Sequence, residues 1–258
     1  DYSDPLTSWG LKSGIQYARD VYRKRLDMHD FGGLFTGTQD EQNVGLFSEL
    51  SFQPNERFTS LIGIRLDAHN LFGTRVLPRA HLKYELFKGS ILRASSGLGF
   101  RSPHPWLEYG ELLASSRWFN PGQPMPFFKK RLRAEAAWNS GLSWQKNYVL
   151  NYRKGSLVFD YFYTRFSNRL IVDRYRSPDT YWFENLSGLS HSHSFMVQLD
   201  QELKRRMSLR AAYKFTWSES TYSEGLSLDP FISVHRGFVA WFYETRDAWG
   251  FDLSAQFH

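Results

Sequence analysis

The chain has 258 residues, 17% of them aromatic, with a formal net charge of +6 and no cysteine. The lack of cysteine excludes disulfides and thiolate metal sites, the absence of any run of 18 apolar residues excludes a transmembrane helix, and the scattered basic residues argue against a nucleic-acid-binding protein. The aromatic content favours either a strand-rich fold or a protein of the membrane interface.

Alternating apolar and polar residues recur along the whole chain and predict about eleven β-strands. The predicted strands cover residues 9–17, 43–52, 58–69, 78–86, 89–103, 134–144, 156–166, 192–203, 207–218, 236–244 and 251–258. Many of them have ten or more residues, whereas strands of soluble proteins usually have about five or six. A tilted strand that crosses a bilayer needs about 9 to 11 residues, so these lengths favour a membrane barrel.

The predicted strand at 89–103 shows two chemically different faces. One face is mostly apolar and carries Leu92, Ala94, Ser96, Leu98 and Phe100. The opposite face is polar and carries Arg93, Ser95, Gly97, Gly99 and Arg101. The strand at 78–86 repeats the pattern, since its polar face carries Arg79, His81, Lys83 and Glu85.

The predicted connections alternate between long and short. The long ones cover residues 20–42, 102–132, 168–187 and 219–235, the tight ones lie at 53–56, 87–90, 153–156, 204–206 and 246–248, and one at 70–74 is intermediate. Such alternation predicts an antiparallel up-and-down barrel with long loops on one rim and tight turns on the other. Gly89 and Gly155 are expected at positive φ in their turns, and tight loops are expected to hold odd numbers of residues.

A soluble β-sandwich with one solvated face per sheet is the competing fold. The strand lengths favour the membrane barrel, and so does a group of aromatic residues near predicted strand ends. This group consists of Trp144, Tyr161, Tyr163, Trp217, Trp241 and Tyr243.

Three segments carry a resemblance to a known family: residues 77–119, 133–144 and 159–175. The motifs are Pro78-Arg79-Ala80, Leu92-Arg93-Ala94-Ser95, Gly99-Phe100-Arg101, and Glu135 with Ala137-Trp138-Asn139. Together they closely resemble the barrel of TonB-dependent outer-membrane receptors, in particular those of Bacteroidetes-type bacteria. The resemblance implies a location in the bacterial outer membrane, in contact with its lipid and lipopolysaccharide.

Members of this family build a 22-stranded barrel around an N-terminal plug. With about eleven strands, an odd number, the chain is therefore expected to be a fragment of one barrel domain over residues 1–258, without the plug and the C-terminal strands. The resemblance implies that the polar face meets the plug through Arg65, Arg79, Lys83, Arg93, Gly97, Gly99, Arg101, Glu135 and Asn139. For Arg93 and Arg101, pairing with lumenal acids such as Glu85 or Glu135 is an equally good interpretation.

The resemblance also implies uptake of a scarce ligand: a ferric siderophore, haem, cobalamin, or an oligosaccharide or peptide. Energy would come from the TonB complex acting on the plug. The long loop at 102–132 supplies the candidate ligand contacts, which are His104, Trp106, Tyr109, Arg117, Trp118 and Phe119. Basic residues of the polar face, with Arg210 and Lys214 added, favour an anionic ligand or an acidic plug surface.

No enzymatic site, cofactor or resident metal is expected. His191 and His193 share one face of a strand, but no third ligand accompanies them. Ser192 and His193 are adjacent and point to opposite faces, which argues against a serine hydrolase. A passive porin-like barrel is the main alternative function, followed by a soluble sandwich that binds a ligand.

Overall fold

A computed structural model describes residues 2–3, 8–28, 33–120 and 132–258; among these, the side chains of residues 2–3, 24, 26–28, 33–36, 106, 113, 119 and 120 lie outside the description. The structure is almost entirely antiparallel β-sheet. Eleven long strands form the main sheet: β2 (Trp9–Met28), β3 (Gly33–Asn55), β4 (Phe58–His69), β5 (Gly73–Phe87), β6 (Ser90–Arg101), β8 (Glu135–Leu150), β9 (Arg153–Asn168), β12 (Ser190–Lys204), β13 (Met207–Tyr222), β15 (His235–Glu244) and β16 (Gly250–Phe257). Each of them contains a predicted strand or overlaps one.

The shorter elements lie at the edge of the main sheet and in its long connections. β1 (Tyr2–Ser3) pairs with β2, and β14 (Gly225–Leu228) pairs with β13. β7 (Trp118–Asn120), β10 (Leu170–Asp173) and β11 (Thr180–Asn185) form a separate three-stranded sheet. A helix, α1 (Pro105–Glu108), and a 3-10 turn (Gly110–Ala114) precede β7. No helix in the described ranges is long and apolar enough to span a membrane.

Strands of the main sheet follow one another in chain order, so the topology is the predicted up-and-down meander and not the two packed sheets of a sandwich. Directly opposite residues trace one apolar row across seven strands: Leu82, Ala94, Leu142, Tyr161, Phe195, Phe215 and His235. We call this side the apolar face and the opposite side the polar face. Many large side chains of the apolar face are exposed, including Ile62, Leu82 and Leu142.

The residues that form the polar face change from odd-numbered to even-numbered at the β8–β9 turn. From β3 to β8 the polar face carries odd-numbered residues such as Arg93. From β9 to β16 it carries even-numbered residues such as Asp160. The change arises because Asn151 and Tyr152 form a two-residue turn at positive φ, with Leu150 directly opposite Arg153. The two faces therefore stay continuous although the sequence parity reverses.

The tight turns form one rim, the short-turn rim. Turns of two residues lie at 56–57, 88–89, 151–152 and 205–206, and residues 245–249 form the remaining one. Gly89 has φ +76°, as predicted. The prediction for Gly155 is wrong, because it lies inside β9 and the turn is made by Asn151 and Tyr152. The predicted odd number of loop residues is found at β3–β4 and β5–β6 only when the bulge residue beside each two-residue turn is counted with it.

The long connections form the opposite rim, the long-loop rim. The predicted loop at 20–42 is wrong over most of its length, because β2 and β3 continue as a paired hairpin up to Met28 and Gly33. This hairpin extends beyond its neighbour, since pairing of β3 with β4 ends at Asn43 and His69. The longest predicted loop, 102–132, and the loop at 168–187 contain the small sheet and the helical turns, while residues 121–131 lie outside the description.

Candidate functional site

A folded cap sits on the long-loop rim, built from α1, the 3-10 turn and strands β7, β10 and β11. Its core consists of Leu112, Leu170, Val172, Tyr181 and Phe183, with Tyr109 and Leu132 packed against it. Leu170 and Val172 of β10 belong to this core, while Ile171 between them packs in a second cluster with Leu186 and Tyr222. Because β10 is buried on both sides, its sequence shows no alternation. The loops of this rim are therefore ordered by a small hydrophobic core of their own.

Asp173 ends β10 and fixes the turn that follows. Its Oδ1 accepts hydrogen bonds from the backbone N–H groups of Tyr175 and Arg176, and Oδ2 accepts one from the N–H of Ser223 at 2.7 Å. Burial opposes ionisation of Asp173, but these backbone donors outweigh it and lower the pKa of the carboxyl. The turn is held by a carboxylate that remains charged.

Glu135 anchors the cap to the barrel strands. Its side chain is buried (4% exposed), its Oε1 accepts a 2.7 Å hydrogen bond from the backbone N–H of Leu170, and its Oε2 accepts one from Nε of Arg101. Arg101 also donates from Nη2 to Glu108 of α1 at 2.6 Å. One carboxylate thus joins β6, β8 and β10, and the guanidinium of Arg101 adds α1.

A second anchor lies where β9 leads into β10. Arg169 donates to Asp229 at 2.5 Å and to the hydroxyl of Ser220 at 3.1 Å, and Asp229 also accepts hydrogen bonds from Ser218 and from Tyr222. Burial opposes ionisation of Asp229, but the charge of Arg169 and the hydroxyl donors lower the pKa of its carboxyl. The cap and the β14–β15 connection are therefore joined by a buried ion pair.

A third group connects the extended hairpin with the long loop. Glu41 of β3 lies between two imidazoles, with Nε2 of His69 and Nε2 of His104 each 3.6 Å from one of its oxygens. The ring of Tyr22 is 4.4 Å from the ring of His104. The backbone N–H of Leu71 donates to Nδ1 of His69, so the proton of a neutral His69 lies on Nε2 and faces Glu41.

The predicted ligand contacts do not form one cluster. Tyr109 packs in the cap core, with its ring 6.2 Å from that of Phe183, and burial raises the pKa of its hydroxyl. Arg117 lies over the ring of Tyr181 and donates to the carbonyl of Arg174. His104 belongs to the Glu41 group, whereas Trp118 is 56% exposed on the cap. The side chains of Trp106 and Phe119 lie outside the described part of the chain.

The cap presents an arginine and aromatic surface that the sequence reasoning missed. Arg176 lies 4.0 Å over the ring of Trp182, and Arg174 lies 4.8 Å over the ring of Phe231, which is 82% exposed. The two arginines follow β10 at alternate positions, and that spacing was the available signal. Stacked guanidinium groups of this kind suit anionic or aromatic ligands.

Several of the predicted plug-facing residues have partners within the chain. Arg65 pairs with Asp67 at 2.7 Å, Arg79 with Glu49 at 2.5 Å, and Asn139 donates to Thr164 at 2.6 Å. The sequence left the partners of Arg93 and Arg101 undecided between the plug and lumenal acids. In the structure Arg101 contacts Glu135, and Arg93 donates to the amide oxygen of Gln145 at 3.2 Å.

Two predicted glycines differ in the space around them. A Cβ added at Gly97 would meet Arg79 and the carbonyl of Pro78 at 3.2 Å. A Cβ at Gly99 would meet nothing within 4 Å. A side chain at Gly97 would crowd β5, whereas Gly99 leaves open space on the polar face.

One register row of the polar face concentrates positive charge. Lys83 lies directly opposite Arg93, and Lys214 lies directly opposite Arg236. The row continues between them through Ser143, Asp160 and Met196. Like charges that face each other across strands destabilise a sheet unless an anion lies between them.

His191 and His193 lie on the apolar face near the long-loop rim, away from the polar face and the cap core. The ring of His193 shares a 2.8 Å hydrogen bond with Tyr161, and Nε2 of His191 is 3.6 Å from Glu219. Within the described residues, no group of three or more His, Cys, Asp or Glu side chains is arranged to hold a metal.

The comparisons with known proteins agree with this architecture. A family model described as TonB dependent receptor-like, beta-barrel, matches residues 2–257. Similar structures include the FrpB iron transporter from Neisseria meningitidis (TM-score 0.66, 13% identity), the siderophore receptor PirA from Acinetobacter baumannii (0.65, 11%) and the copper transporter OprC (0.65, 16%). The chain is covered over 98%, 98% and 96% of its length, respectively, and spans 40% of each of those chains.

No curated protein matches the chain. The structural likeness, at these identities, shows a shared fold, and the family model extends over nearly the whole chain. The two-faced meander, the tight and long rims and the family match together show that the chain belongs to the TonB-dependent receptor-like β-barrel family.

Proposed function

We propose that the chain is part of the barrel of an outer-membrane receptor that takes up a scarce ligand with energy delivered by the TonB complex. In this proposal the apolar face meets lipid, the polar face surrounds a plug, and the cap faces the cell exterior. Candidate ligands remain a ferric siderophore, haem, cobalamin, or an oligosaccharide or peptide. The observation that carries the proposal is the match of residues 2–257 to the receptor barrel family.

The charged row on the polar face supports a filled lumen. The pairs Lys83/Arg93 and Lys214/Arg236 each place two cations opposite one another. An acidic plug surface or an anionic ligand would relieve this repulsion. The paired arginines Arg65 and Arg79 already have acidic partners and are less available to it.

The cap supports ligand capture at the long-loop rim. Arg174 and Trp182 join the exposed Trp118 as candidate contacts, whereas Arg176 stacks on Trp182 but already pairs with Glu184. Because Glu135 and Asp229 fix the cap to the strands, these side chains are presented on an ordered support. Rigid presentation reduces the ordering cost of binding.

The test is an uptake assay with the full-length receptor in cells that lack related receptors, with and without functional TonB. The probes are iron-55 complexed with catecholate or hydroxamate siderophores, haemin, cobalt-57 cyanocobalamin, and labelled oligosaccharides and peptides. Accumulation of at least one probe only with TonB supports the proposal. Accumulation of small probes in equal amounts without TonB overturns it in favour of a passive pore.

A further inference from the structure

Lys146 is an isolated charge on the apolar face. It lies opposite Ser90 on one side and Leu157 on the other, two residues after Trp144 on the same face. In the described main-sheet strands from β4 to β16, the other Asp, Glu, Lys or Arg residues on this face are Arg153, Arg165, Glu219 and Lys204, the last lying opposite Met207. Arg153 is the first residue of β9 and Lys204 the last of β12, whereas Arg165 and Glu219 lie three residues from the long-loop ends of their strands.

The ammonium group of Lys146 lies over one aromatic ring, and a stacked aromatic pair lies on the same face nearby. Its Nζ lies 4.3 Å from the centre of the Phe87 ring. Trp144 stacks on Phe159 at 5.4 Å, and its indole N–H is used in a 2.9 Å hydrogen bond to the buried hydroxyl of Ser90. The aromatic platform is therefore fixed, whereas Lys146 has no carboxylate partner among the described residues.

Lys146 lies near the short-turn end of its strand, where the proposed lipid face would reach the headgroups. It lies four residues before Leu150, where β8 ends at the short-turn rim. A lysine on a lipid-facing surface extends its flexible stem along apolar neighbours until the ammonium reaches the interface. The group it meets there is the phosphate of a phospholipid, and Trp beside it is the residue typical of that level.

We propose that Lys146, with Phe87 and Trp144, binds the headgroup of an anionic phospholipid in the leaflet at the short-turn rim. The argument rests on the proposed membrane location of the barrel and adds a specific lipid site to it. Charge complementarity selects the occupant, because the ammonium group has no carboxylate partner in the described ranges and its neighbours on this face are Phe87, Trp144, Leu157 and the hydroxyl of Ser90.

The test measures lipid binding to the purified full-length receptor by native mass spectrometry, with phosphatidylglycerol titrated against phosphatidylcholine. Lys146→Met is expected to weaken phosphatidylglycerol binding about fivefold, the factor that corresponds to about 1 kcal/mol per basic residue at a membrane surface. Lys146→Arg keeps the charge and should bind as the natural protein does. Lys83→Met is the matched control, because Lys83 also lies four residues before the end of its strand but on the polar face.

Equal binding by Lys146→Met and the natural protein overturns the proposal, and so does an equal loss in Lys83→Met. A measurement without any variant guards against misfolding: phosphatidylglycerol should slow acetylation of Lys146 by an amine-reactive ester but leave Lys83 unaffected. Equal acetylation of Lys146 with and without the lipid also overturns it. Lipid protection in a protein without TonB-dependent uptake would refute the proposed function alone, whereas uptake without protection would refute the lipid site alone.

Discussion

At the scale of single residues, the two faces of a strand have opposite requirements. Leu82 is 45% exposed on the apolar face, and its neighbour His81 lies on the polar face opposite Ser95. In the proposed membrane barrel, adjacent positions meet different surroundings, lipid on one side and a polar lumen on the other. The same substitution at both positions separates the two environments.

Leu82→Arg is expected to destabilise the full-length receptor by about 2 to 4 kcal/mol, the cost of an arginine on the lipid face near the bilayer midplane. The measurement is urea unfolding in phospholipid vesicles. His81→Arg is the control and should change the unfolding free energy far less. A neutral result for Leu82→Arg would remove this residue from the lipid face.

Glu135 is expected to matter through its bond to Leu170. Glu135→Leu leaves the buried N–H of Leu170 without an acceptor and should cost about 1 to 3 kcal/mol. Glu135→Gln keeps an acceptor oxygen and should cost less. Thermal unfolding of the two variants checks this. Equal losses of stability would show that the charge of Glu135, and not its hydrogen bond to the backbone of Leu170, stabilises the fold.

At the scale of elements, the cap depends on side chains that come from distant strands. Arg169 follows β9, Asp229 follows β14, and Ser220 belongs to β13. Because Asp229 has a lowered pKa, its carboxylate stabilises the folded cap when ionised. That contribution is complete above the ordinary pKa of Asp, about 3.9, and is lost as the pH falls through the lower folded value.

The cap should therefore keep its low mobility from neutral pH to about pH 4 and become more mobile below that pH. A spin label at Asp179→Cys, in a receptor free of other cysteines, reports its mobility. Asp229→Asn should raise the mobility at pH 7 and weaken its dependence on acid. The same mobility profile in both proteins would show that the Arg169–Asp229 pair does not hold the cap.

At the scale of the whole molecule, the polar face is the surface that a plug would cover in the proposed receptor. A Cβ at Gly99 would meet no atom of the chain within 4 Å, so a large side chain there would project toward the space that a plug would fill in the proposed receptor. Gly99→Trp is expected to lower receptor assembly or TonB-dependent uptake by about fivefold or more, as overpacking of about 1 to 3 kcal/mol implies. The amount in the outer membrane and the uptake of the active probe are the measurements.

Leu98→Trp, one residue away on the apolar face, is the control for Gly99→Trp and should assemble normally. Normal assembly and uptake by Gly99→Trp would contradict a filled lumen at this position. Gly97→Trp is unsuitable as a test, because it would collide with Arg79 and Pro78 of the chain itself.

The sequence by itself determined the strands, their two faces and the meander, because period-two alternation and turn residues are local properties of the chain. Gly89 illustrates this with its positive φ, although the same turn signal misplaced the turn at Gly155, where Asn151 and Tyr152 turn the chain instead. Only the tertiary structure decided the parity change at Asn151–Tyr152, the Glu135 anchor and the isolation of Lys146. These depend on which strands lie opposite one another and on a cap core assembled from distant segments, and such long-range pairing leaves no periodic trace in the sequence.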